Sequence, residues 1–186
     1  MHPMPAVHIS AEDVLRCDSP WREYEIWDGL PMVRAPSGGW AEEVGSRVVV
    51  PLGSFVRGRH LGWVFMSSQG FLLARGPDRM LASDGAYVSK RRLPKLPRQG
   101  FIPLAPDFLI EVRSPGDTWE AVVEKCGVWL AHGARCAWAL DPERATVAMF
   151  RPGVAPEVLR GTGTASAAPA LEGFELEVAD LFSGLA

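Results

Sequence analysis

The hydrophobic pattern of residues 107–131 predicts a buried strand followed by an amphipathic helix. Apolar residues run almost without interruption from 108 to 112, as in a strand that lies inside a sheet. A turn signal follows at 114–116, and either Asp117 or Thr118 is suited to cap the next helix. Apolar residues then recur at helical spacing at Trp119, Val122, Val123, Cys126, Trp129 and Leu130.

The rest of the pattern predicts a mixture of strands and helices. A short apolar strand at 136–140 follows the helix, so it should lie parallel to the 107–112 strand in the same sheet. A helix is predicted from about Trp40 to Val56, with Pro51 kinking or interrupting it. Asp28-Gly29 indicates a hairpin. Further strands are predicted at 60–65, 70–74 and 80–88. We therefore predict an α/β fold with a mixed β-sheet flanked by helices.

The end of the chain has a weaker pattern. Residues 161–170 are small and low in complexity, so we predict a loop or linker there. Residues 171–182 are expected to add an edge strand and a last turn. A length of 186 residues is typical of one domain with a sizeable core.

Composition excludes several classes of protein. The net charge of −3 gives no global basic field, so a nucleic-acid coat protein is not indicated. The three cysteines have no CxxC spacing, which argues against a disulfide scaffold or a zinc finger and favours a reduced, cytoplasmic protein. No stretch approaches the roughly 18 uncharged apolar residues of a membrane span, so we expect no membrane partner.

Four charged residues are expected to meet near the ends of two strands. Glu111 interrupts the apolar run, and a buried carboxylate is costly unless it is paired, hydrogen-bonded or bound to a metal. Arg113 lies two residues further on and points to the same side, while Lys125 lies on the next helix. If the strand with Asp84 is the neighbour, two carboxylates converge with one or two cations. Two hard oxygen ligands favour Mg²⁺ or Mn²⁺, which can activate a water and clamp a phosphate.

Each of these residues also has a purely structural interpretation. Asp84 could cap a turn or pair with an arginine, and Glu111 could form a buried ion pair with Arg113 or Lys125. Lys125 could be an ordinary lysine of a helix surface. The sequence pattern leaves these alternatives open.

Residues 89–106 differ from the rest of the chain in charge and in proline content. They contain no acidic residue and five cations, which are Lys90, Arg91, Arg92, Lys95 and Arg98. We predict a long basic loop, and loops of this length in compact domains are often functional. If the loop is functional, it contacts nucleic-acid phosphate near the active site. The structural alternative is a solvated loop that its prolines keep open.

Five blocks of the sequence resemble those of the Uma-two family. The blocks are YEIWDG (24–29), SDGAYV (83–88), PDFLIEVRSP (106–115), Lys125 and WALDP (138–142). That family consists of restriction-endonuclease-like proteins within the PD-(D/E)XK nuclease superfamily. The resemblance implies a single restriction-endonuclease-like domain over 1–186, with a core at about 20–155 and a C-terminal extension at 156–186.

The resemblance assigns roles to individual residues. Asp84 matches the aspartate of the PD half-motif, with Ser83 in place of the proline, and Glu111 matches the acidic residue of the other half-motif. Arg113 stands where the superfamily has its catalytic lysine. Arginine is always charged, so it can stabilise an oxyanion but cannot exchange protons. Lys125, on the following helix, is then the matching lysine.

The resemblance also implies a substrate, a cofactor and a partner. Such a nuclease would use Mg²⁺ or Mn²⁺ to hydrolyse phosphodiester bonds in DNA, and it would act as a homodimer or higher homo-oligomer because duplex cleavage needs two sites. A third carboxylate from the first long helix is common in the superfamily, and Glu42 or Glu43 could supply it. Two alternatives stay open: an inactive nucleic-acid-binding or protein-interaction module of the same fold, and a hydrolase of small phosphoesters.

Overall fold

The computed structural model describes residues 8–16, 24–33 and 37–185, which contain four helices and twelve strands. The helices are α1 (Ala11–Arg16), α2 (Gly39–Gly58), α3 (Trp119–Ala131) and α4 (Val178–Phe182). The strands are β1 (Tyr24–Trp27), β2 (Leu30–Val33), β3 (Gly62–Met66), β4 (Gly70–Ala74), β5 (Arg79–Ala82), β6 (Gly85–Ser89), β7 (Phe108–Val112), β8 (Cys136–Asp141), β9 (Thr146–Phe150), β10 (Glu157–Arg160), β11 (Thr164–Ser166) and β12 (Glu175–Glu177).

Six strands form a mixed sheet in the order β10-β9-β8-β7-β6-β3. β7 and β8 are parallel and are joined through α3, whereas the other neighbouring strands are antiparallel. Every residue of β7 is buried, as its continuous apolar pattern predicts. The mixed sheet with its flanking helices confirms the predicted fold class.

Alternate residues of β7 pack against different helices. Ile110 belongs to the core cluster that contains Val48 of α2, whereas Leu109 belongs to the cluster that contains Trp129 of α3. Because side chains alternate along a strand, Glu111 shares the α3 side with Leu109. The central strand therefore directs one carboxylate toward α3.

A second sheet, with the order β2-β1-β5-β4, contains the predicted hairpin. Its turn residues, Asp28 and Gly29, have φ angles of 51° and 81°. Two successive left-handed residues are the signature of a tight hairpin turn, which explains the Asp-Gly pair. Phe71 and Leu81 of this sheet pack in the same core cluster as Trp129, so the second sheet lies on the α3 side.

The single strand predicted at 80–88 is wrong, because the chain changes sheets in the middle of this stretch. β5 ends at Ala82 in the second sheet, and β6 begins at Gly85 in the mixed sheet. At Gly85 the chain runs so close to α2 that an added Cβ would lie 2.5 Å from Val49 Cγ2. Both strands are buried, so their apolar residues look continuous in the sequence. The break leaves Asp84 at the junction of the two sheets.

Tertiary packing modifies two other local predictions. α2 is not interrupted at Pro51, since its apolar stripe is buried on both sides of this residue. The stretch 161–170, predicted as a loop or linker, contains β11, and its Ala165 and Ala167 are fully buried. The indole N–H of Trp138 donates to the main chain of β11 at 3.3 Å. Small side chains there leave room for this large ring.

The elements predicted for the end of the chain are present where the structure describes it. β12 and α4 form the predicted edge strand and final turn. Cys126 and Cys136 are buried and free of disulfide bonds, while Cys17 lies outside the described residues. Within those residues, none of the helices has the length and apolar character needed to span a bilayer.

Candidate active site

Asp84 lies directly before β6, and Glu111 lies on the neighbouring strand β7, as a shared site requires. β6 and β7 pair antiparallel, with Gly85 opposite Ile110. The Asp84 N–H donates to the Ile110 carbonyl at 3.1 Å, and the Val112 N–H donates to Asp84 Oδ2 at 2.7 Å. These two bonds fix Asp84 beside the carboxyl end of β7.

Helix α3 brings two partners to the Glu111 carboxylate. Thr118 caps this helix by accepting a hydrogen bond from the Ala121 N–H, which resolves the choice between Asp117 and Thr118. Residues four apart share one face of a helix, so Lys125 and Trp129 both reach β7. The Trp129 indole N–H donates to Glu111 Oε1 at 2.7 Å, and Lys125 Nζ lies 3.1 Å from Glu111 Oε2. Lys125 therefore contacts Glu111, as the sequence predicted.

Glu25 is a further member of this site that the sequence analysis did not identify. It lies on β1, is only 5% exposed, and its Oε1 is 2.8 Å from Lys125 Nζ. The Ala82 N–H donates to Glu25 Oε1 at 3.2 Å, and the Trp27 indole N–H donates to Oε2 at 3.1 Å. Glu25 stands in the YEIWDG block, between two residues of high strand propensity. An acidic residue between two strand-forming residues is the sequence signal that could have identified Glu25 as a site residue.

The electrostatics of the cluster are dominated by burial. Burial, and after it the nearby carboxyl groups of Asp84 and Glu25, raise the pKa of Glu111 to about 8. The Lys125 ammonium and the Trp129 hydrogen bond act in the opposite direction without cancelling these effects. The cluster thus contains three carboxyl groups and one ammonium. An additional cation would be stabilised there.

Arg113 lies on the same side of the sheet but is directed to other partners. Its Nη1 is 3.2 Å from Asp141 Oδ2 and 2.8 Å from Glu143 Oε2, and its Nε donates to the Asp117 carbonyl at 3.2 Å. These contacts place its guanidinium at the carboxyl ends of β7 and β8. The structure therefore does not bring Arg113 into the ion pairs of Glu111.

The two candidate carboxylates of α2 differ in position. Glu42 accepts a hydrogen bond from Ser37 and lines a cavity of about 70 Å³ together with Asp84. Glu43 pairs with Arg47 of the same helix at 2.9 Å. Of the two candidates, Glu42 is therefore the one that lines a cavity with Asp84.

The basic loop begins at the opposite end of β6 from Asp84. Asp84 precedes this strand and Lys90 follows it, so their backbones are about 20 Å apart at the usual rise per residue. Arg92 pairs at 3.3 Å with the fully buried Asp107. The other four cations, Lys90, Arg91, Lys95 and Arg98, are exposed. The structure thus separates the start of this loop from the carboxylates and gives Arg92 a structural partner.

Asp84 and Glu111 provide the hard oxygen donors that Mg²⁺ and Mn²⁺ prefer. The described part of the chain contains no group of three or more His, Cys, Asp or Glu side chains arranged to hold a metal ion. A divalent cation would therefore bind to few carboxylates, with water and phosphate oxygens completing its shell, as is common for Mg²⁺. The raised pKa of Glu111 also indicates a site where added positive charge is favourable. The residues present fit a hard divalent cation.

Comparisons with known proteins agree with the fold and identify the family. The chain is similar to the crystal structure of "a putative nuclease belonging to DUF820" from Anabaena variabilis ATCC 29413, with 23% identity and a TM-score of 0.80. That match covers 96% of this chain and 99% of the other, and it shows a shared fold. No curated protein matches the chain. The model of the Uma2 family, described as "Putative restriction endonuclease", matches residues 11–179 and supports a nuclease at the family level. The chain therefore belongs to the Uma2 (Uma-two) family, as its five sequence blocks predicted.

Proposed function

We propose that this protein is a Mg²⁺- or Mn²⁺-dependent endonuclease that hydrolyses phosphodiester bonds in DNA. The observation that carries the proposal is that Asp84, directly before β6, and Glu111, on the neighbouring β7, interact electrostatically, while the ammonium of Lys125 contacts Glu111. Two carboxylates and one cation are the groups that metal-assisted phosphodiester hydrolysis needs. Membership of a restriction-endonuclease family supports the same reaction class.

In this proposal each charged residue has a separate task. Asp84 and Glu111 hold the divalent cation, and Glu42, which lines a cavity with Asp84, acts through water and not as a direct third ligand. The bound cation supplies Lewis acidity and lowers the pKa of a coordinated water. Lys125 orients the attacking water or stabilises the negative charge that develops on the phosphate. Arg113, which contacts Asp141 and Glu143, holds the carboxyl ends of β7 and β8 together.

The proposed substrate and assembly are supported by surface features. The exposed cations Lys90, Arg91, Lys95 and Arg98, with Arg92, form a basic segment that could follow a phosphate backbone. Strand β2 is an edge strand, and its apolar residues Leu30, Met32 and Val33 are exposed. Exposed apolar edges favour self-association. We propose a homodimer in the cytoplasm, where free cysteines such as Cys126 remain reduced.

One observation favours an inactive module as the second candidate. Lys125 lies between Glu25 and Glu111 and contacts both carboxylates within 3.1 Å. An ammonium in this place can neutralise the site without a metal ion. Under this alternative, nucleic-acid or protein binding would survive the loss of Asp84 and would not depend on divalent cations.

Calorimetry with Mn²⁺ and Mg²⁺ tests the proposal without a choice of substrate. The wild type should bind the ion, and Asp84→Ala and Glu111→Ala should each abolish binding. Glu124→Ala is the matched control, because Glu124 is an exposed carboxylate on α3 next to Lys125. Each titration is repeated with a short DNA duplex, since phosphate oxygens can complete the metal shell. Absence of binding in both series contradicts the nuclease and supports the inactive module.

A cleavage assay then identifies the substrate class. The proposed endonuclease should cut plasmid and duplex DNA only with Mg²⁺ or Mn²⁺, and both alanine variants should lose this activity. A hydrolase of small phosphoesters would instead cleave a chromogenic phosphodiester and leave DNA intact. RNA of the same sequence serves as the comparison that separates the two nucleic acids.

A further inference from the structure

The ammonium of Lys125 is held by three acceptors from three different strands. Its Nζ lies 2.8 Å from Glu25 Oε1, 2.8 Å from the Ala82 carbonyl and 3.1 Å from Glu111 Oε2. An ammonium has three protons, so each of these acceptors can receive one. Two of the three do not involve Glu111. The position of Lys125 is therefore supported independently of the carboxylate that is proposed to bind metal.

Glu25 is itself fixed in place by groups outside the proposed metal site. Its Oε1 receives the Ala82 N–H, and its Oε2 receives the indole N–H of Trp27, which stands two residues further along β1. The tight turn at Asp28-Gly29 sets the register of this hairpin. Burying a carboxylate at 5% exposure is unfavourable unless it is paired. The hairpin therefore presents a rigid anion directly to Lys125.

We propose that Glu25 is the positioning residue of Lys125: it holds the ammonium at the site and keeps it there when Glu111 engages a cation. A lysine side chain has a flexible four-carbon stem, so its head group needs fixed acceptors to stay in one place. A cation on Glu111 would weaken that residue's attraction for the ammonium, whereas Glu25 and the Ala82 carbonyl would retain theirs. The first part of the proposal concerns the protein alone, and the second rests on the proposed nuclease function.

Acylation of lysines tests the first part without substrate or metal. The chain has three lysines, Lys90, Lys95 and Lys125, so N-hydroxysuccinimidyl acetate labelling is readily resolved by mass spectrometry, with exposed Lys90 as the internal standard. Relative to Lys90, labelling of Lys125 should rise about tenfold in Glu25→Gln, as expected when one charge-assisted hydrogen bond is lost. Glu124→Gln, which removes a neighbouring exposed charge from α3, should leave it unchanged. Equal labelling in wild type and folded Glu25→Gln overturns the proposal.

Glu25→Asp is a second variant that keeps the proposal testable if Glu25→Gln does not fold. It keeps a carboxylate on β1 but shortens the side chain by one methylene, so Lys125 should label at a rate between those of wild type and Glu25→Gln. Circular dichroism and the unfolding midpoint report on the fold of each variant. If Lys125 is labelled at the same rate in Glu25→Asp as in the wild type, a direct contact between Glu25 and Lys125 is contradicted.

Metal binding and kinetics test the second part. Glu25→Gln should bind Mn²⁺ with an affinity within about threefold of wild type, but its kcat on duplex DNA should fall about tenfold to a hundredfold at similar KM. Loss of Mn²⁺ binding would make Glu25 a ligand and overturn the positioning role. If the wild type neither binds Mn²⁺ nor cleaves DNA, the nuclease proposal fails, and the labelling result still decides whether Glu25 holds Lys125.

Discussion

Two buried acidic residues lie near opposite ends of β7, and they are neutralised in different ways. Asp107, just before the strand, is 0% exposed, receives the Ser89 N–H at 2.8 Å and pairs with Arg92. Glu111, near the other end, is 4% exposed and shares Lys125 with Glu25. One carboxylate therefore has its own cation, whereas the other belongs to a cluster with excess negative charge.

This difference shows that burial alone does not mark a functional carboxylate. A balanced pair such as Asp107 and Arg92 stabilises the fold, because each charge compensates the other. The cluster around Glu111 is unbalanced, and burial together with its carboxyl neighbours raises the pKa of that residue to about 8. Groups perturbed in this way are concentrated at functional sites. The contrast predicts that loss of Asp107 damages stability and loss of Glu111 damages activity.

The largest expected effect is the loss of stability in Asp107→Asn. This change leaves the Arg92 guanidinium without its anion and weakens the acceptor for Ser89, so the free energy of unfolding should fall by about 3 kcal/mol. Urea unfolding followed by circular dichroism measures it. The matched control is Glu111→Gln at pH 8, which should not lower the free energy of unfolding, because burial already disfavours the charged form of Glu111. Equal losses in the two variants would contradict the distinction between the two sites.

A second effect concerns the pH dependence of stability. The pKa of Glu111 is raised in the folded state, so between its ordinary value of 4.5 and about 8 the folded protein holds a proton that the unfolded chain has lost. This stabilisation is complete below the ordinary pKa and disappears as the pH rises through about 8. Wild-type stability should therefore fall relative to Glu111→Gln by about 1 kcal/mol per pH unit between pH 6 and 8. Parallel pH profiles of the two proteins, measured without divalent ions, would exclude this role of Glu111.

The sequence predicted the parts of the site that lie close together along the chain. Glu111 stands out because it interrupts an apolar strand, and Lys125 follows from the helical spacing after the Thr118 cap. Their approach depends on one strand–helix connection, whose geometry is nearly fixed. Asp84 could be placed in the site only on the condition that its strand neighbours β7, because the break between β5 and β6 is hidden by apolar residues on both sides. The family resemblance then gave Asp84 its role.

The sequence could not predict contacts that depend on the packing of separate sheets. Glu25 reaches Lys125 because the β1–β2 hairpin packs through the second sheet onto α3, and no local pattern encodes that approach. The choice between Glu42 and Glu43 likewise depends on which side of α2 faces Asp84. Arg92 looked equivalent to its basic neighbours until the burial of Asp107 gave it a partner.

The smallest expected effect comes from the exposed cations beyond β6, at the Asp107 end of the sheet. Replacing Lys90, Arg91, Lys95 and Arg98 together with glutamine should raise KM on a 20-base-pair duplex about threefold to tenfold and reduce the salt dependence of binding. It should leave kcat unchanged, because the segment begins about 20 Å from Asp84. A small chromogenic phosphodiester cannot span that distance, so its hydrolysis should be unaffected by the same substitutions. Loss of activity on both substrates would instead indicate that the segment folds over the carboxylates and acts in the reaction itself.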